Sequence, residues 1–183
     1  GNSEVSFNKS NKEEFFCSVE PWLIPKNYGL SNVSGVLNAV QVQSSLAGSV
    51  MITGAGAGGE PTASAVLADI VDFANRTKLL SFGRNSSKIK NNYKTNTYTE
   101  KFRFYLRLNV IDKSGVLASL TSIFRDNELS IESFIQKSNH EDKTAELVII
   151  THEASKSMLD KALLSINKLD GVISDPVCLS IYS

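Results

Sequence analysis

Cysteine and proline are scarce in this chain of 183 residues, which has two of the former and four of the latter. Cys17 and Cys178 stand near opposite ends, in no CxxC or metal-ligand spacing. That argues against a disulfide framework or a cysteine metal site, and two free thiols in a reducing cytoplasm are expected. Charge of one sign is lacking too: 19 basic residues balance 19 acidic ones, so no net field draws the chain to nucleic acid or membrane. No apolar run reaches 18 residues, and Gly1-Asn2-Ser3-Glu4 has no signal-peptide character. The chain does not begin with Met, which suggests a piece of a longer protein. What is present is globular: 42% hydrophobic and 21% charged residues, in a length that suits one ordinary domain or two small ones.

Glycine is concentrated in one place, Gly54-Ala55-Gly56-Ala57-Gly58-Gly59, between an apolar run and a helical pattern. The run satisfies GxGxxG, the spacing of a dinucleotide-binding turn. A Rossmann turn also needs a second parallel strand ending in an acid roughly 20 residues on. Asp72 lies 18 residues after Gly54, but inside the helical pattern, and a polar stretch follows in place of a strand. The Rossmann assignment fails on context. Two readings stay open: a tight strand-to-helix turn with no ligand, or an exposed backbone that a ligand approaches closely.

The chain divides in three. In residues 1–77, Phe15 to Val19 reads as a strand stopped by Glu20-Pro21, and Trp22-Leu23-Ile24 as a second apolar patch. Val36 to Val42 and Val50 to Ile52 read as strands flanking a loop from Ser44 to Gly48. Thr62 to Arg76 reads as a helix, with Val66, Ile70 and Phe73 on one stripe widened by Leu67, Val71 and Ala74. Residues 78–100 are rich in Asn, Ser, Thr and Lys, with Arg84, Lys88, Lys90 and Lys94, and read as a solvated linker. Tyr93 and Tyr98 alone could stack on bases, too little for a nucleic-acid platform.

From Lys101 the pattern sharpens. Phe104, Leu106, Leu108 and Val110 alternate with polar residues as a half-buried strand, and Asp112-Lys113-Ser114-Gly115 opens a helix carrying Val116, Leu120 and Ile123. Strands follow over Ile131 to Gln136 and Ala145 to Thr151. A helix marked by Leu159, Leu163 and Ile166 is expected to stop at Asp170-Gly171, before a last strand with Val177, Leu179 and Ile181. The order βαββαβ predicts a ferredoxin-like unit with both helices on one face of a four-stranded antiparallel sheet. The expected fold class is thus α+β: a partial mixed α/β segment, then this unit.

Catalytic groups are not evident, and no metal site is predicted. His140 falls in a turn and His152 at a strand end; Asp69, Asp72 and Arg76 read as a solvated helix face with a weak ion pair.

The stretch Asn32-Val33-Ser34-Gly35-Val36-Leu37-Asn38-Ala39-Val40, the glycine run continued through Glu60-Pro61-Thr62-Ala63-Ser64-Ala65-Val66, and Ala68-Asp69-Ile70 together resemble homoserine dehydrogenase, at the end of its catalytic region. Pro21 and Leu23-Ile24-Pro25 resemble the run just before it. Residues 101–183 resemble an ACT domain, a βαββαβ module that senses small ligands. The resemblance implies an oxidoreductase that interconverts aspartate semialdehyde and homoserine with NAD(P), on the route to threonine, methionine and isoleucine. It implies that the Rossmann domain and the catalytic residues lie upstream, so that this chain alone is inactive and holds no cofactor tightly. Gly58 would approach the nicotinamide cofactor, while Gly54, Gly56 and Thr62 shape that wall. It further implies residues 1–77 as the closing part of the catalytic and oligomerisation domain, 78–100 as linker, and 101–183 as regulatory domain.

The resemblance to ACT domains also implies an amino-acid effector, threonine by family, bound between two copies of a homo-oligomer. Its contacts would be Asp112, Lys113, Ser114, Gly115 and Val116 at a helix start, with Ser130, Ile131 and Ser133 at a strand start. Helix-start amides suit a carboxylate, and Asp112 an ammonium. The chain carries Ser114 where proline is common and Ser130 where asparagine often stands. The second reading is a free-standing amino-acid-binding ACT protein whose residues 1–77 serve only in oligomerisation.

Overall fold

A computed structural model of the chain describes residues 3–4, 8–9, 14–75, 87, 94–95, 100–139 and 141–182. Most of the expected linker therefore lies outside the described residues, as do Arg76 and His140. The first strands are β1 (Ser3–Glu4), β2 (Asn8–Lys9), β3 (Glu14–Phe16) and β4 (Glu20–Leu23). A hairpin of β5 (Leu37–Ser44) and β6 (Gly48–Ala55) leads into α1 (Gly59–Ala74). After β7 (Lys94–Thr95) come β8 (Lys101–Ile111), α2 (Val116–Asp126), β9 (Ile131–Asn139) and β10 (Thr144–Thr151). The chain closes with β11 (Ala154–Ser155), α3 (Lys156–Ile166) and β12 (Val177–Ile181). Two compact units result, one of Gly1–Leu23 with Tyr93–Ser183 and one of Ile24–Asn92.

The first unit is built on the sheet β12-β8-β10-β9, all antiparallel, with the βαββαβ order of a ferredoxin-like ACT fold. Register places Leu106, Leu108 and Val110 of β8 opposite Ile149, Leu147 and Ala145 of β10, so one face is continuously apolar. Leu120 and Phe124 of α2 and Leu159, Ala162 and Ile166 of α3 join that face in one buried cluster. Each fully buried Leu, Ile or Phe there contributes about 1.5–3 kcal/mol.

Three expectations need correction. The sheet does not end at four strands, because β4 lies beside β12 in parallel, with Trp22 opposite Ser180 and Leu23 opposite Ile181, and β1 lies beyond it. Pro21, expected to stop a strand, sits inside β4, where the ladder to β12 runs through Trp22 and Leu23 and does not need its missing N–H. Trp22 is buried with its ring edge-on to Phe102 at 4.9 Å, and Phe16 lies 5.3 Å from the same ring. Gly171 does not stop α3, which ends at Ile166. Instead its carbonyl accepts the Ile111 N–H at 2.8 Å, with φ +105°, against the end of β8.

The second unit holds the β5–β6 hairpin, in full register from Leu37↔Ala55 to Ser44↔Gly48, and α1. The helix starts at Gly59, ahead of the expected Thr62. Its apolar stripe is exposed from Val66 to Phe73, with Phe73 at 88%.

Candidate functional site

The glycine run begins on β6 and ends as the first turn of α1. Gly56 donates its N–H to the Val36 carbonyl at 2.8 Å, and a Cβ built on Gly56 would collide with the Asn38 side chain. A side chain there would have to displace the exposed Asn38 side chain, a constraint that spacing alone could not reveal. Gly58 has φ +126°, a conformation closed to other L-residues, and a Cβ on it would stand 3.3 Å from Pro61 Cδ. It caps α1 without a side chain, so the Gly59 and Glu60 amides have no intrahelical acceptor, and Pro61 has no N–H to satisfy.

Thr62 closes the turn. Its Oγ1 donates to the Gly58 carbonyl at 2.7 Å and its N–H to the same oxygen at 3.2 Å. The hydroxyl thus fixes the shape of the turn. Glu60 in the first turn already sets a carboxylate at the positive end of the helix. The bare glycine backbone of this turn leaves room for a group to approach closely, with nothing within 4 Å of a Cβ built on Gly54 or Gly59.

At the other candidate site, Asp112 to Gly115 form an exposed loop after β8. The Asp112 N–H reaches the Lys143 carbonyl at 2.9 Å, and Lys113 N–H the Ile111 carbonyl at 2.9 Å. Gly115, at φ +97°, is the N-cap of α2 and supplies no capping side chain. The Leu117 and Ala118 amides consequently lack intrahelical acceptors. Gly171 borders this loop, for a Cβ on it would lie 3.1 Å from Val116 Cγ2. Neither Gly171 nor Lys143 was foreseeable here, because both reach the loop from distant sequence.

Ser130, Ile131 and Ser133 do not meet that loop within one chain. Ile111, next to Asp112, pairs with Thr144, which pairs with Asn139, whereas Ile131 pairs with Thr151. The two segments stand at opposite ends of β10, about 20 Å apart at 3.3 Å per residue. Ser130 accepts the His152 N–H at 2.9 Å through its carbonyl, and Ser133 is exposed beside it. His152 is exposed at that strand end, and among the described residues no cluster of three His, Cys, Asp or Glu could hold a metal. No described helix is long and apolar enough to cross a membrane.

Residues 5–71 match the family model for homoserine dehydrogenase, and residues 104–171 match that of the ACT domain. The glycine run falls in the first match, and both proposed effector segments in the second. The homoserine dehydrogenase of Neisseria gonorrhoeae is 36% identical over 162 residues, which cover 84% of this chain and 37% of that protein. That of Pseudomonas aeruginosa is 35% identical over 172 residues, covering 89% and 39%. The crystal structure of a homoserine dehydrogenase from Thiobacillus denitrificans superposes with a TM-score of 0.79 at 27% identity, over 98% of this chain and 42% of that one. The chain thus combines a homoserine dehydrogenase-type segment with an ACT domain, and spans less than half the length of these relatives.

Proposed function

We propose that this chain, which joins a homoserine dehydrogenase-type segment to an ACT domain, works as the C-terminal part of an NAD(P)-dependent homoserine dehydrogenase. The observation that carries the reading is the occurrence of both segments in one chain, over a stretch shared with the relatives. The first match, at 5–71, speaks against a free-standing ACT protein. In the intact enzyme the reaction interconverts aspartate semialdehyde and L-homoserine in the cytoplasm, with the nicotinamide cofactor supplying or accepting the hydride.

Residues 1–77 close the catalytic and oligomerisation domain, 78–100 link, and 101–183 regulate, with β4 shared into the regulatory sheet. Gly54, Gly56 and Gly58 present bare backbone to the nicotinamide, and Thr62 holds Gly58 in place. Exposure of the apolar stripe of α1 supports cover by another part of the enzyme.

Threonine binds between two copies. The opposite placement of Asp112–Val116 and Ser130–Ser133 supports this, because β9 is an edge strand. Antiparallel pairing of β9 with the same strand of a second copy would bring the strand start of one chain to the loop end of the other. The carboxylate then meets the first amides of α2, and Asp112 takes the ammonium. Binding that favours one arrangement of the pair shifts the catalytic part by linkage.

Calorimetry of this chain with threonine should give millimolar or tighter binding, and no heat with threonine or any other amino acid would remove the sensing role. Homoserine and NAD(P) should give only background turnover; real turnover by this chain would overturn its assignment as a part.

A further inference from the structure

We infer that the Glu132–Arg103 ion pair is a relay that ties ligand contact at Ser130–Ser133 to the docking of β4 on β12. The inference rests on the reading that Ser130–Ser133 touch an effector, and adds to it a route inside the first compact unit.

The register between β9 and β10 slips at one point. Ile150 pairs with Ser133 and Thr151 with Ile131, which leaves Glu132 as the extra residue of a bulge. A bulge leaves its extra residue unpaired in the ladder and re-aims its side chain, here to Arg103. Arg103 Nε donates to Glu132 Oε2 at 2.7 Å, and Nη2 converges on the same oxygen. Both side chains are about one third exposed. The pair therefore adds little to stability by itself but holds a fixed geometry.

Arg103 is the partner of Ile181 on β12, and Ile181 is the partner of Leu23 on β4. The Leu23 carbonyl accepts the Tyr182 N–H at 2.9 Å. One row of contacts thus crosses the sheet from Glu132 to Leu23.

The far end of that row is also held by a separate clamp. The Glu20 carboxylate accepts from Lys156 Nζ at 3.1 Å and from Ser180 Oγ at 3.3 Å, fixing β4 to α3 and β12. β4 is where the chain passes from this unit to the next: Leu23 is the last residue of one and Ile24 the first of the other. The homoserine dehydrogenase match runs through it. A shift of Glu132 on ligand contact therefore reaches the dehydrogenase-type segment at its point of covalent entry. The contiguous row supplies the route, and the coupling between its two ends is the quantity that tests it.

The test is hydrogen exchange of peptides covering 20–23 and 177–182 in this chain, with and without threonine, in wild type, Glu132→Gln, Arg103→Met and Glu132→Asp, with binding followed by calorimetry. In wild type, saturating threonine should slow exchange in both peptides by about threefold or more. Arg103→Met should keep the binding heat and an unchanged melting temperature without threonine, yet lose that slowing; Glu132→Gln should lose it likewise, and Glu132→Asp should keep part of it. Binding without any slowing in wild type, or with equal slowing in the charge-removing variants, overturns the relay and leaves amino-acid sensing standing. No heat from threonine or any other amino acid removes sensing and the relay together.

Discussion

Cys178 shows how one residue reports its surroundings. It lies half-buried on β12, and burial pushes its thiol pKa from 9.0 up to about 11. Lys156 nearby pulls in the opposite direction, while Asp160 and Glu20 add to the rise. The thiolate is the reactive form, so folding should suppress reaction with iodoacetamide. Alkylation at this site, followed by mass spectrometry against pH, should rise with a midpoint near 11 in the folded chain and near 9 in urea. The unfolded chain binds fewer protons than the folded one between those values, so this group costs stability as pH rises from about 9 to about 11. A folded midpoint near 9 would show that the thiol is not desolvated. The two free thiols were legible from their spacing. The surroundings of Cys178 were not, because the charges that act on it come from α3 and from Glu20, the latter more than 150 residues earlier in the chain.

At the scale of elements, the end of α2 is a Schellman motif built without glycine. The Leu129 N–H reaches the Phe124 carbonyl at 2.9 Å and the Glu128 N–H reaches that of Arg125 at 3.0 Å, with Leu129 buried beside Phe124. The motif puts Glu128 at φ +57°, in the left-handed region. An L-residue costs about 1–2 kcal/mol there, and glycine's greater freedom when unfolded offsets part of it. Glu128→Gly should therefore stabilise the chain by about 0.5–1 kcal/mol, seen as a higher urea midpoint with unchanged slope. A lower midpoint would mean that the Glu128 side chain contributes more than its backbone strain costs.

Elements with strict periodicity were readable in advance: β8 alternates along its length, and its inward residues are the buried ones. Short strands with distant partners were not. β4 holds four residues, one of them proline, and its β12 partners follow some 158 positions later (180 − 22 for Trp22 and Ser180). Local pattern carries no trace of such a pairing. The glycine run sits between these cases: its turn was legible, but the crowding at Gly56 comes from the Asn38 side chain across the hairpin.

At the scale of the whole molecule, burial separates the two units. Every buried hydrophobic residue among those described, from Phe16 and Trp22 to Ile181, belongs to the unit of Gly1–Leu23 and Tyr93–Ser183. The described residues of Ile24–Asn92 offer none, although Val40, Val42, Val50 and Ile52 line one face of the hairpin and Val66, Leu67, Ile70 and Val71 the helix. The sequence shows these stripes by their spacing, but periodicity states which face is apolar and not what covers it. A hairpin and a helix with no buried face depend on backbone bonds that water can reach, and isolated elements of that size are marginal. Hydrogen exchange of this chain should therefore find the amides of β8, β10, α2 and α3 among the slowest. Those of β5, β6 and α1 should exchange on the order of a hundredfold faster or more. In an intact dehydrogenase, cover over the same apolar faces should raise protection of β5, β6 and α1 towards that of β8 and β10. Equal protection in this chain alone would mean that the hairpin and helix are stable without that cover, and would remove the exposed stripe as support for a missing catalytic partner.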